Sequence, residues 1–335
     1  MAVTIERYDH QPGEHCASTA LRNILRFYGT EISEPMVVGI AGGLGFYYLG
    51  GEGMSPTRMF HGRTRTLEQD FFQNAGIPFE APEEADDARA WALVRAKLDR
   101  GLPVLLYTDT YYLGYHKTTS HFPGHSAVIV GYDDDARTVQ LADRKFSDYQ
   151  ICSYEELRRS RNADDYPMRC GNQYGELGRE VVLGRPLAEA ARIAMRRNAA
   201  WMLAESPERL TGVAAMRRLA DDFPSWREIE DWSWAARFGY QVVIKRGAGG
   251  SFFRSLYADF LREAEELLPG LGASGLAPRM DAIAARWREF SDVLKEQSER
   301  ETCDAGLFLR AGSMLAELAS EEESFFRTLQ TAAED

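Results

Sequence analysis

Strand signals in this chain sit in one short stretch, and almost everything around it reads as helix. Pro103 opens the stretch, and Val104-Leu105-Leu106-Tyr107 reads as a buried strand. His125 to Tyr132 reads as a second strand, Asp133 to Arg137 as a turn, and Thr138 to Asp143 as a third strand. A polar, aromatic loop from Thr108 to Gly124 separates the first two. Upstream, Ser18 to Tyr28 places Leu21, Ile24, Leu25 and Tyr28 on one helical stripe, with Gly29 as its stop. Ser33-Glu34-Pro35 opens a short second helix that ends at Gly42-Gly43. Thr66 and Gln69 form a capping-box pattern, and Asp86 to Arg100 reads as another helix. Ser153 and Glu156 give a further capping box after the sheet. Helices first and a strand-rich part second predict an α+β domain.

The texture changes near Pro186. Helical patterns alone follow: Leu187 to Leu203, Gly212 to Asp221, Phe252 to Leu268, Pro278 to Arg300, and Ala305 to Thr331. Gly171, Gly175, Gly178 and Gly184 cluster just before this change. The expected division is therefore an α+β domain over 1–170 and an all-α domain over 186–335.

Composition removes several function classes. The net charge of −12 argues against a nucleic-acid binder, which needs a basic face. No apolar run approaches the roughly 20 residues needed to span a bilayer, and Met1 to Gln11 lacks the apolar core of a signal peptide. Cys16, Cys152, Cys170 and Cys303 form no CxxC pair and no disulfide framework. The expectation is a reduced, cytoplasmic protein with no membrane association.

Within Gln11-Pro12-Gly13-Glu14-His15-Cys16-Ala17-Ser18-Thr19-Ala20-Leu21, a polar turn delivers one cysteine to the start of a helix. The positive end of the helix dipole favours thiolate there. Nucleophilic catalysis then needs a histidine to move the proton and a carboxylate to orient it. His125 and Asp143 are the candidates. If Tyr132 stands opposite Thr138, His125 stands opposite Lys145, and Asp143 is its diagonal neighbour on one face. That face also carries Ala127, Ile129, Val139 and Leu141, and a one-residue slip would move Asp143 to the other face. The Cys16 N–H supplies one oxyanion donor, and Gln11 is the amide candidate for a second, its alternative being an ordinary loop glutamine.

Other features have two readings each. Gly43, in Gly42-Gly43-Leu44-Gly45-Phe46, either brings backbone to a substrate or makes a plain turn. Tyr111, Tyr112, Tyr115 and His121 are candidate substrate contacts beside His125. A metal site on His116, His121 and His125 is disfavoured by Pro123, so no metal is expected. Gly247 to Gly250 reads as a tight interdomain turn. Arg196-Arg197 and Arg217-Arg218 are either a dock for an acidic partner or solvated helix faces.

The ordered motifs His15-Cys16-Ala17-Ser18-Thr19-Ala20-Leu21-Arg22-Asn23, Gly42 to Phe46, Gly62-Arg63-Thr64 and His121-Phe122-Pro123-Gly124-His125 resemble the N-terminal domain of the butirosin biosynthesis protein H family. Arg246 to Arg254 resembles the helical domain that commonly follows it. The resemblance implies a papain-like cysteine-peptidase-type domain joined to an all-α domain. It also implies an acyltransferase that takes an acyl or aminoacyl group from an acyl carrier protein thioester. Cys16 would be the nucleophile, His125 the base and Asp143 the orienting acid. The donor would be linked through phosphopantetheine, with no bound cofactor, and the acceptor a small amine or hydroxyl in antibiotic biosynthesis. Ala17 stands where many relatives have glycine, and His10 stands where the peptidases place their glutamine. A hydrolytic peptidase or amidase, a cyclising chain-release enzyme and a non-catalytic binding protein are the alternatives. A homo-oligomer is compatible with every one of them.

Overall fold

A computed structural model describes residues 1–164, 169–205 and 210–334. In chain order the elements are β1 (Ala2–Thr4), α1 (Cys16–Phe27), α2 (Glu34–Ile40), β2 (Leu44–Gly50), β3 (Arg58–Arg63), α3 (Leu67–Ala75), α4 (Asp87–Leu98), β4 (Val104–Thr108), β5 (His125–Asp133), β6 (Thr138–Ala142), β7 (Gln150–Ser153) and α5 (Tyr154–Arg161). Six further helices follow among the described residues: α6 (Leu187–Leu203), α7 (Gly212–Asp222), α8 (Trp232–Ile244), α9 (Arg254–Leu267), α10 (Leu276–Ser298) and α11 (Ala305–Ala332). The fold is α+β with a helical C-terminal region.

The chain forms two compact units. One comprises Met1–Glu34 and Gly76–Gly184, the other Pro35–Ala75 and Arg185–Asp335. This differs from a division at 1–170 and 186–335, because residues 35–75 belong with the helical unit. The reason is packing: the β2–β3 hairpin lies on α6, α7 and α8, and α3 lies on α6. The hairpin itself was not legible as strand, since Gly42 to Phe46 read as a turn. The Arg246–Arg254 segment is likewise internal to the second unit, where it joins α8 to α9, and is not an interdomain turn.

In the first unit, β5 is the middle of an antiparallel sheet. It pairs with β6 on one side and with β4 and β1 in succession on the other, and β7 extends β6. His125 to Tyr132 is buried throughout. Such a run suits a strand covered on both faces. Helix α1 packs against β5, burying Leu21, Ile24 and Leu25. Small residues Ala17, Ser18 and Ala20 permit that approach and are themselves buried.

The β5–β6 register has two halves. Near the strand start, Val128 faces Ala142 and Ile129 faces Leu141, the pairing expected from the sequence. Toward the turn, Tyr132 faces Val139 and Asp133 faces Thr138, one residue out. The shift lies between Ile129 and Gly131. A bulge there takes up the extra residue, so the turn is shorter than expected while the site end keeps its register.

In the second unit, Phe46 and Phe60 of the hairpin stack at 5.8 Å, and Phe252 sits edge-on to both. A Cβ on Gly62 would lie 2.6 Å from the Phe252 ring, so only glycine fits. The Ser153–Glu156 capping box forms, whereas Thr66 donates its hydroxyl to Asp70 at 2.6 Å and forms none with Gln69.

Candidate active site

Cys16 is the first residue of α1, where no preceding carbonyl of the helix accepts its N–H. The residue at the helix cap, His15, makes no side-chain cap. Capping comes from outside the helix. Buried Glu34 accepts from the His15 N–H at 2.9 Å, the Glu14 N–H at 3.0 Å, Ser18 Oγ at 2.7 Å and Thr19 Oγ1 at 3.1 Å. A carboxylate at a helix N-terminus gains from the dipole as well as from these bonds. Gly13 is required beside it, because a Cβ there would fall 2.4 Å from Glu34 Oε2.

Gly13, His10 and Glu14 tie the cysteine loop to the end of β6, the Glu14 carbonyl accepting from Arg144 Nη1 at 2.5 Å. Gly13 N–H donates to the Arg144 carbonyl at 2.7 Å. His10 Nε2 donates to the carbonyls of Asp143 and Phe146 at 3.2 and 2.9 Å, while its Nδ1 accepts from Asn23 Nδ2 at 3.1 Å. Burial pushes the His10 imidazole down, so it stays neutral and keeps that tautomer.

The sheet then brings in the remaining groups. His125 Nε2 lies 2.9 Å from Asp143 Oδ2. The His125 ring also hydrogen-bonds Cys16, and with Nε2 committed to Asp143, Nδ1 is the nitrogen left for the sulfur. Cys16, His125 and Asp143 are 5 %, 3 % and 1 % exposed, so their charges interact through protein rather than water. Burial alone would raise the Cys16 thiol. The imidazoles of His15 and His125 outweigh it and hold the thiol well below its ordinary value. Burial would lower His125, but Asp143 and Cys16 push it up to about 10. Asp143, despite burial, is held well below the usual carboxylate range by His125 and His116. The arrangement favours thiolate, imidazolium and carboxylate in line. By contrast, burial pushes Cys152 up to about 12 and Cys303 upward as well.

Asp143 Oδ2 collects more than one histidine. His116 Nε2 reaches it at 2.8 Å and Tyr115 Oη donates to it at 2.9 Å, while buried Oδ1 has no hydrogen-bond partner. Burial first, then Asp143, raises the Tyr115 phenol well above its ordinary value, so it remains a donor. His116, His125 and Asp143 are also the one trio among the described residues whose ligand atoms converge closely enough to suggest a metal. Two ligands about 2.0 Å from a tetrahedral zinc stand about 3.3 Å apart. The observed 2.8 and 2.9 Å are hydrogen bonds with no room for an ion between them.

The other expected residues take varied places. Gln11 gives its carbonyl to Asn23 at 2.9 Å and to Arg22, and its exposed amide makes no hydrogen bond among the described residues. Tyr111 and Tyr112 flank the His121 ring, with centroids 4.0 and 5.5 Å away. His121 Nδ1 is 2.7 Å from buried Asp109, which also accepts from the Tyr111 and Phe122 N–H groups. These three residues organise the loop before β5. Gly43 lies in the second unit, where its N–H donates to Val38 and its carbonyl accepts from Thr64. Arg217 pairs with Glu323, Arg197 with Asp70 and Asn74, and Arg218 covers the Tyr48 ring.

Three residues of this network were not expected. Glu34 read only as part of a helix start, His15 as polar flank, and His116 as part of the aromatic, polar loop before His125 and a rejected metal ligand. The available signal was histidine usage: His10, His15, His116 and His125, four of the six histidines, bond into the cluster.

No curated protein matches the sequence. Family models match both parts of the chain: butirosin biosynthesis protein H, N-terminal, over residues 15–144, and a domain of unknown function (DUF4872) over residues 155–329. The first match begins at His15 and ends one residue after Asp143, and the second covers half the chain. With both domains in their order, this chain belongs to the butirosin biosynthesis protein H family.

Proposed function

We propose that this protein is a cysteine-nucleophile acyltransferase of antibiotic biosynthesis, taking an acyl or aminoacyl group from an acyl carrier protein thioester. One observation carries the reading: a thiol at a helix start that bonds to a buried histidine, itself 2.9 Å from a buried carboxylate. A cysteine helix packed on an antiparallel sheet that holds the histidine and acid supports a papain-like assignment.

In the first half-reaction the Cys16 thiolate attacks the donor's thioester carbonyl. The bond to the phosphopantetheine sulfur breaks, and the His125 imidazolium protonates that leaving thiolate. The acyl group is then a thioester on Cys16. An acceptor amine attacks it, His125 takes the amine's proton, and Cys16 leaves as thiolate with the amide released. Asp143 holds His125 in the required tautomer and supports its charge. In this reading the Cys16 N–H donates to the oxyanion in both halves.

The test is a mass measurement on intact protein mixed with an acylated carrier protein. A mass increase equal to the acyl group, located on Cys16 and absent in Cys16→Ser, is the expected result. Hydrolysis of peptides by Cys16 with no uptake from any carrier would favour the peptidase reading.

A further inference from the structure

His15 occupies a position that helix stability does not explain. Helix caps favour Ser, Thr, Asp or Asn, whose side chains accept from the first turn. His15 does not cap, and Glu34 performs that task. Its main chain is anchored on both sides: the N–H donates to Glu34 at 2.9 Å, and the carbonyl accepts from the Thr19 N–H at 2.9 Å and Ser18 Oγ at 3.4 Å. The buried ring directs Nε2 to 3.8 Å from Cys16 Sγ, within reach of a hydrogen bond to sulfur. The sulfur therefore has two imidazole neighbours, and only His125 is bonded to Asp143.

We propose that His15 is a second catalytic histidine, donating its Nε2–H to the Cys16 sulfur as that sulfur leaves the acyl group. The role rests on the acyltransfer reading. When an amine attacks the Cys16 thioester, a C–N bond forms and the C–S bond breaks. The amine's proton passes to His125, and the electron pair of the broken bond stays on sulfur. At that moment His125 is occupied with the incoming proton, and His15 stabilises the departing charge without changing its own protonation. In the first half-reaction the thiolate is the attacking group, so the hydrogen bond favours its formation but is weakened as its charge passes to the carbonyl, and the two effects offset.

The groups that bear on this titration are His15 and His125 at the sulfur, Asp143 and His116 behind His125, and Glu34 with Arg22 at the helix start. The first experiment follows thiolate ultraviolet absorbance against pH, as the difference from Cys16→Ser, and needs no acyl donor. His15→Leu and His15→Ala are expected to raise the midpoint by about one pH unit, while His15→Gln, which keeps an N–H donor, stays near wild type. Unchanged midpoints in Leu and Ala would overturn the proposal, as would a Gln variant displaced as far as they are. The second experiment loads Cys16 from an acylated carrier and adds an amine. His15→Leu is expected to load within about twofold of wild type but to release acyl roughly tenfold more slowly, so that acyl-enzyme accumulates. Equal slowing of both steps would remove the leaving-group role. A wild type that takes no acyl group, with the titration shift intact, would sink the acyltransfer reading and leave the His15–sulfur bond standing.

Discussion

Each unit of this protein buries a charged cluster, and the two are built to opposite ends. In the second unit Arg254 and Glu322 are fully buried and paired through two bonds, Nε to Oε1 at 2.8 Å and Nη2 to Oε2 at 2.7 Å. Trp287 Nε1 adds a third donor to Glu322, and Arg254 Nη1 reaches the carbonyls of Gly62 and Phe252. The guanidinium presents its donors in a rigid planar fork, so that cluster is fixed by geometry. In the first unit every charged member is a thiol, an imidazole or a carboxylate, and one carboxylate oxygen carries three donors while the other carries none. A cluster with spare acceptor capacity and mobile protons suits proton transfer. One with every donor matched to a fixed partner suits holding a loop, a hairpin and two helices together.

The comparison breaks first on Cys16. Cys16→Ala is expected to abolish acyl loading, with transfer lowered at least about 10³-fold and the melting temperature little changed. A large loss of stability in urea denaturation would make that cluster structural too. Arg254→Met is the mirror experiment: it strands Glu322 and is expected to cost about 3–5 kcal/mol, much of it recovered by also changing Glu322 to Leu. If the single variant unfolds at the wild-type urea concentration, the second cluster is not what holds the unit. Asp143→Asn, measured by single-turnover loading, is expected to slow acylation about 10²-fold by upsetting the His125 tautomer.

A pH series sharpens the contrast. His125 is raised in the folded state to about 10, so its stabilisation is complete below its ordinary value of about 6.5 and fades as pH rises toward about 10. Cys16, held low by its contact with His125, contributes with the opposite sign up to its ordinary value of about 9, so the stability advantage of wild type over His125→Gln should hold between about pH 6.5 and 9 and shrink only above that. The same series on Arg254→Met should show a constant difference. The smallest effect is expected for His116→Phe, roughly five- to tenfold in loading rate, because Tyr115 and His125 still hold Asp143.

How far the site was legible depended on range. His125 and Asp143 lie on neighbouring strands of one hairpin, so alternation over a few residues located them together. The bulge at the middle of β5 was not legible, because apolar residues fill both faces there and a slip leaves the pattern intact. Gln11 is held through its backbone carbonyl by Arg22 and Asn23, and its side chain is exposed. The histidine one position earlier faces inward and secures the Asp143 loop.

By itself the sequence determined the α+β class, the helix that presents Cys16, and the strand pair that carries His125 and Asp143. Each of these is written in a period of two or 3.6 residues, or in a turn signal a few residues long. Only the tertiary structure decided that residues 35–75 pack with the helical unit, that Glu34 caps α1 from outside it, and that three histidines converge on one thiol and one carboxylate. Those contacts join side chains across loops whose lengths follow no period. They are set by which buried surfaces and unpaired donors fit together once the chain has closed.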